Sequence, residues 1–225
     1  MVVLARKILN SSRPYNIYYF PYIIPFTLFA LFIYVPPLAG ISRIITYPIQ
    51  TIIIAISLIY YWSDFNREIR LSFDWFAVLS GVVVFFTWIL PEGLYPQIGH
   101  SEFNPYELGI DSYMVYFVIT FRMIGATVIV PLMEEIFWRS FALRFVIQPA
   151  FKSIPLGQFS WFSFIFVSVI FGFEHHRWLV GIIAGMVYAG LLYRRKNLFD
   201  PILSHAVTNL LLGSYVLYTQ QWSFW

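Results

Sequence analysis

Apolar residues run along this chain in seven blocks of the length that crosses a bilayer as a helix, about 20 residues. They cover roughly 18–38, 44–62, 73–90, 113 onward into the stretch 128–139, 159–173, 179–193 and 201–218. The first block holds Pro21, Pro25, Pro36 and Pro37, which predicts a bend. The fourth carries Pro131 one turn ahead of two carboxylates, which predicts a kink there. Asp200-Pro201 reads as an N-cap followed by the first residue of the last helix. Between the third and fourth blocks, residues 91–112 hold Glu92, Glu102, Glu107 and Asp111 without a single Lys or Arg.

The polar intervals also orient the chain. Arg6, Lys7 and Arg13, then Arg67 and Arg70, then Arg139, Arg144 and Lys152, and finally Arg194, Arg195 and Lys196 fall on one side. The other side has only Arg43 and Arg177. The positive-inside rule then makes the N-terminus cytoplasmic and puts Glu134 nearer the cytoplasmic side. No internal repeat or linker divides the chain, so residues 1–225 are expected to form a single integral membrane domain.

Composition agrees with that pattern. Hydrophobic residues are 60% and charged residues 11%, against about 45–50% and 25% in soluble domains; mean hydropathy is +0.72. The expected fold class is therefore an all-α, polytopic transmembrane bundle of about seven helices. The net charge of +3 is explained by short basic loops, and with no phosphate loop or polyanion groove no nucleic-acid partner is expected. The chain has no cysteine, which removes disulfides, thiolate nucleophiles and Cys-based metal sites. No cleavable signal peptide is evident, because the first apolar run continues too far.

Three polar clusters interrupt the apolar second half. They are Glu134-Glu135-x-x-x-Arg139, then Phe171-Gly172-Phe173-Glu174-His175-His176, then His205-Ala206-Val207-Thr208-Asn209. Charges at membrane depth are costly, so they pair or do chemistry. Glu135 and Arg139 are i and i+4 with the acid first, the favourable order for a helical ion pair. Glu134 is turned about 100° away, with Trp138 as its i+4 neighbour and no local partner. His205 and Asn209, also i and i+4, share one helix face.

Each cluster also has a plainer reading. Glu135–Arg139 can be a structural ion pair, and His205 with Asn209 can be interhelical hydrogen-bond glue. His175 and His176 can be solvated at a helix end, and periodicity does not choose between them. Glu174 can be interfacial or pair with Arg177. Arg122, mid-block, reads first as a structural partner for a carboxylate and second as a substrate contact. Together, however, a carboxylate, histidines and an Asn on three separate spans make a set for water activation and oxyanion stabilisation. No Ser or Cys stands beside a base, and no His-Glu-x-x-His offers zinc ligands.

The three clusters resemble, in order, the motifs of the CPBP family, the CaaX-type intramembrane glutamic endopeptidases that include the Rce1-like enzymes. The family's Glu-Glu-x-x-x-Arg matches Glu134, Glu135 and Arg139; its Phe-x-x-x-His matches Phe171 and His175; its His-x-x-x-Asn matches His205 and Asn209. Glu174-His175-x-x-Trp178 and the run from His205 to Gly213 are most like the bacterial CAAX prenyl protease-related subgroup. The resemblance covers about 113–219 and leaves the first three spans outside. It implies that Glu134 and His175 hold and deprotonate a water, that His205 and Asn209 form the oxyanion hole, and that Glu135 and Arg139 orient the site. His176, Glu174 and Arg122 are further candidates. No metal or other cofactor is expected. The expected partners are the lipid bilayer and a membrane-associated protein or peptide substrate, and the expected location is a bacterial inner membrane. The rival readings are a non-catalytic scaffold or immunity-type protein of the same fold, a proton-coupled carrier, and a metallopeptidase. An intact motif set argues against the scaffold, and the lack of two related halves argues against the carrier.

Overall fold

The structure is a computed structural model that describes residues 18–99 and 103–225. Arg6, Lys7, Arg13, His100 and Glu102 lie outside the described residues. Among the described residues there is no strand, and seven helices carry the chain: α1 (Phe20–Leu38), α2 (Arg43–Phe65), α3 (Trp75–Ile89), α4 (Ser112–Phe145), α5 (Trp161–Phe173), α6 (Trp178–Arg195) and α7 (Phe199–Thr219). Each falls on one of the seven apolar blocks. Two of them, α2 with its following turn and α4, are long and apolar enough to cross a membrane by length and composition, whereas α1, α3 and α5 are shorter apolar helices.

Side-chain caps set four of the starts. Ser42, Asp74, Asp111 and Ser160 each accept a hydrogen bond from the first turn of α2, α3, α4 and α5, satisfying donors that a helix cannot satisfy itself. Asp200 is not the cap of α7. The helix already begins at Phe199, where the amide donates to Asn197 Oδ1 at 3.3 Å. Asp200 lies inside the first turn, fully buried, and pairs with Arg195 at 3.2 Å. α1 runs unbroken through Pro21 in its first turn and Pro25 in its interior, with Pro36 in its last turn.

α4 runs through the middle of the bundle. Its Met133, Ile136, Trp138 and Leu143 pack with Phe171 of α5 and Tyr188 and Leu191 of α6 into the main core. The α5–α6 pair is held close by glycines. A Cβ on Gly172 would stand 2.6 Å from the Trp178 carbonyl oxygen and 2.7 Å from the Ile182 nitrogen. A Cβ on Gly181 would stand 3.0 Å from the Gly172 Cα, and one on Gly185 3.1 Å from the Phe171 ring and 3.2 Å from the Ser168 backbone. This Gly-x-x-x-Gly spacing is the small-residue contact that packs helices in lipid. The outer faces carry large apolar side chains, among them Ile59 at 74%, Val83 at 60% and Phe162 at 67% exposure. So continuous an apolar exterior fits a hydrocarbon environment.

The two ends of the bundle differ. At one end Arg194 pairs with Asp74, Arg144 with Glu68 at 2.8 Å, and Asn197 Oδ1 accepts from the Arg70 amide at 2.9 Å. At the other end the acidic interval closes over the turn between α5 and α6. There Arg177 bonds both oxygens of Glu92 at 2.8 Å and the Ser223 carbonyl at 2.9 Å. Arg177 is therefore the partner of Glu92 and not of Glu174. Its bonds hold the Glu92 carboxyl below the usual carboxylate range.

Candidate active site

α4 brings Glu134 and Glu135 into the core on a helix that is not a regular α-helix throughout. It widens into π-helical turns at Gly125–Ile129 and again at Ile136–Ala142, on either side of the carboxylates. Such turns are frequent at functional sites, and this pair brackets the irregularity expected at Pro131. In the first one the Val130 amide bonds Gly125. The next residue, Pro131, has no N–H to offer the Ala126 carbonyl. That carbonyl instead accepts from Asn209 Nδ2 of α7 at 2.8 Å. Pro131 thus creates an acceptor that fixes the Asn209 side chain.

Glu135 is fully buried and makes two contacts. Its Oε2 lies 3.1 Å from Arg139 Nε, an ion pair out of line for a hydrogen bond, and its Oε1 lies 3.0 Å from His205 Nδ1. The Arg139 guanidinium is 1% exposed and lies over the Phe171 ring, 4.4 Å from its centroid, with Tyr188 beyond. The His205 ring stacks on Tyr188 at 4.8 Å, and the Tyr188 hydroxyl donates to Thr208 at 3.0 Å. Glu135 is consequently the hub that ties α4 to the first histidine of the third cluster.

Glu134 is held differently. It is 5% exposed, has no ion pair among the described residues, and its Oε2 has no hydrogen-bond partner. It faces a cavity of about 450 Å³ that is also lined by His175, His205 and Asn209. His175 Nδ1 lies 2.9 Å from the Phe171 carbonyl oxygen. A carbonyl can only accept, so Nδ1 carries a proton and a neutral ring presents Nε2 as an acceptor. Trp88 packs edge-on against the same ring at 5.3 Å. His176 points its Nδ1 to the Ile98 carbonyl at 2.6 Å, and its own carbonyl accepts from the Ile98 amide at 2.9 Å. It is tied to the acidic interval at the cavity rim, which leaves His175 as the ring turned inward. Glu174 lines the cavity next to Trp138.

One expectation changes. Arg122 pairs with no carboxylate among the described residues. Its guanidinium lies between the rings of Tyr47 and Trp225, 4.5 and 4.8 Å from their centroids, and it too lines the cavity. From Glu134 the cavity extends away from the end carrying Arg194–Lys196. Its further lining, Tyr34, Arg43, Tyr47, Arg177 and Phe224, belongs to the opposite end. The position of Glu134 along its helix carries no record of the direction of the void it faces. Among the described residues, no three His, Asp or Glu side chains converge as metal ligands. Trp88 and the Tyr188–Thr208 support carried no signal in the sequence, whereas Gly181-x-x-x-Gly185 was a readable one.

The family model for the type II CAAX prenyl endopeptidase Rce1-like proteins matches residues 114–211, which run from α4 into α7 and contain all three clusters. This agrees with the CPBP resemblance, and the matched family is one of membrane-bound CAAX peptidases. Neither a curated protein nor a solved structure matches the chain.

Proposed function

We propose, taking the match of residues 114–211 as premise, that this chain is a multi-pass membrane endopeptidase of glutamic type. In this reading all seven helices span the bilayer, with the N-terminus and the Arg194–Lys196 turn cytoplasmic, in a bacterial inner membrane. The substrate is a membrane-associated protein or peptide. The observation that carries the proposal is the convergence of Glu134, His175, His205 and Asn209, from α4, the end of α5 and α7, on one cavity, with no ion pair to Glu134 among the described residues.

One water donates its two hydrogens to Glu134 and to His175 Nε2. Glu134 takes a proton as the hydroxide attacks the scissile carbonyl and later passes it to the leaving amine. The oxyanion is met by the second Nδ2 hydrogen of Asn209, the first being held by Ala126. It is also met by His205 Nε2, which donates when the ring is doubly protonated, since Nδ1–H is committed to Glu135. Arg139 compensates the Glu135 charge, and the two act through His205 rather than on the substrate. No metal is required for any of these steps.

The test is a comparison of membrane peptidomes from cells with the native protein and with Glu134→Gln. A set of cleavage products should vanish with Glu134→Gln while the protein level is unchanged. Identical peptidomes would reject the enzyme assignment. Purified protein dialysed against a strong chelator should keep its activity; loss that added zinc restores would favour the metallopeptidase.

A further inference from the structure

The end of the cavity away from Glu134 holds two guanidinium groups besides that of Arg177, which Glu92 already pairs. Arg122 of α4 and Arg43 of α2 both line it and share the Phe103 ring, at 5.5 and 5.6 Å from its centroid. The Arg122 Nε is buried without a hydrogen-bond partner. The described carboxylates that line the cavity are Glu134 and Glu174, and neither pairs with these arginines. The side chains of Thr46, Tyr47, Gln50, Thr51 and Trp225, which also line that end, carry no charge. Aromatic faces support a cation electrostatically but carry no countercharge. Two like charges, paired with no side-chain carboxylate among the described residues in a site walled by aromatic rings, focus a positive potential into the void. Guanidinium groups with free N–H donors are well suited to a planar carboxylate.

We infer that Arg122, with Arg43 beside it, docks a carboxylate of the peptide substrate and so sets where the chain is cut. The inference deepens the peptidase reading and rests on it. Arg122 precedes Glu134 by twelve residues on the same helix, about 18 Å at 1.5 Å per residue. An extended peptide covers ~3.3–3.6 Å per residue, so about five residues separate the docked carboxylate from the bond at Glu134. The carboxylate comes from the chain terminus or from an Asp or Glu side chain. A lipid phosphate is the rival occupant, but continuity of the arginine end with Glu134 in one cavity favours the peptide.

The test is a binding measurement on Glu134→Gln protein in neutral maltoside detergent, so that it does not depend on turnover. The probe is the heptapeptide acetyl-Leu-Leu-Ala-Leu-Leu-Ala-Leu as free acid, as C-terminal amide, and as an amide whose last residue is Asp; thermal shift is read across concentration. The free acid should raise Tm at concentrations at least tenfold lower than the plain amide. The Asp amide separates the sources: if it binds like the acid, a side-chain carboxylate suffices, and if like the plain amide, the terminus is read. Adding Arg122→Gln should abolish the acid–amide difference, and Arg122→Lys should keep part of it. Equal shifts from acid and plain amide, no shift from either, or an undiminished preference with Arg122→Gln would overturn the assignment. So would an Arg122-dependent shift produced by phosphatidylglycerol while the peptides add nothing. Failure here with Glu134-dependent cleavage intact removes the docking role alone.

Discussion

His205 Nδ1 and Glu135 Oε1 lie 3.0 Å apart, between helices that are 70 residues apart in the chain. The contact makes the second carboxylate of the Glu-Glu pair a positioning group for the third cluster, in addition to the partner of Arg139. It separates the duties of two adjacent side chains that are chemically identical.

That separation has a measurable consequence. Glu134→Gln should abolish cleavage with a Tm close to native, because Glu134 has no ion pair among the described residues and its Oε2 no hydrogen-bond partner. Arg139→Ala should cost about 3–5 kcal/mol of stability, since it strands a buried charge on Glu135. Urea or thermal unfolding in detergent reads the difference. Equal destabilisation by the two changes would show that Glu134 is structural.

The Glu135–His205 contact predicts non-additivity. Glu135→Gln should lower kcat strongly, and His205→Ala on that background should add little, because both remove the same oriented donor. A double-mutant cycle on kcat/KM should give a coupling of about 0.5–3 kcal/mol. Independent effects would place His205 outside the reaction.

Asn209 carries a structural bond and the proposed catalytic one together. Asn209→Ala should reduce kcat on the order of 10²–10³ with KM little changed. It should also cost about 1–3 kcal/mol of stability, because the Ala126 carbonyl loses its donor. Asn209→Asp should be worse on both measures, with a carboxylate facing a carbonyl and a developing negative charge. Restoring an N–H to the helix with Pro131→Ala should recover stability in the Asn209→Ala background but not turnover.

The Glu92–Arg177 tie predicts an acid-sensitive end of the bundle. The Glu92 carboxyl is held low by its bonds to Arg177, so its contribution is present above the unfolded value near ~4.3 and is lost as pH falls through the lower folded value. Tm should drop on acidification below about pH 4, and Glu92→Gln should flatten that part of the profile. An unchanged profile in Glu92→Gln would assign the acid sensitivity elsewhere.

Helix number and place were determined by the sequence itself. Each apolar block became one helix within a few residues, because a backbone in an apolar medium must satisfy its own hydrogen bonds, and a helix does so locally. The Glu135–Arg139 pair was legible for the same reason: i and i+4 on one helix meet without help from the rest of the chain. The family's motifs brought three clusters into view, and the fold gathers Glu134, His175, His205 and Asn209 around one void. What periodicity could not supply were contacts whose partners lie far apart in the chain. The Glu135–His205 bond, the Ala126 acceptor for Asn209, Glu92 in place of Glu174 as partner of Arg177, and the aromatic seat of Arg122 are all of this kind. Asp200 shows the same limit at shorter range, since a cap signal yielded to Arg195 once α6 and α7 met. The side toward which the cavity opens was likewise decided only by tertiary structure. A void belongs to no helix; it is what remains between them after packing, and local sequence carries no record of it.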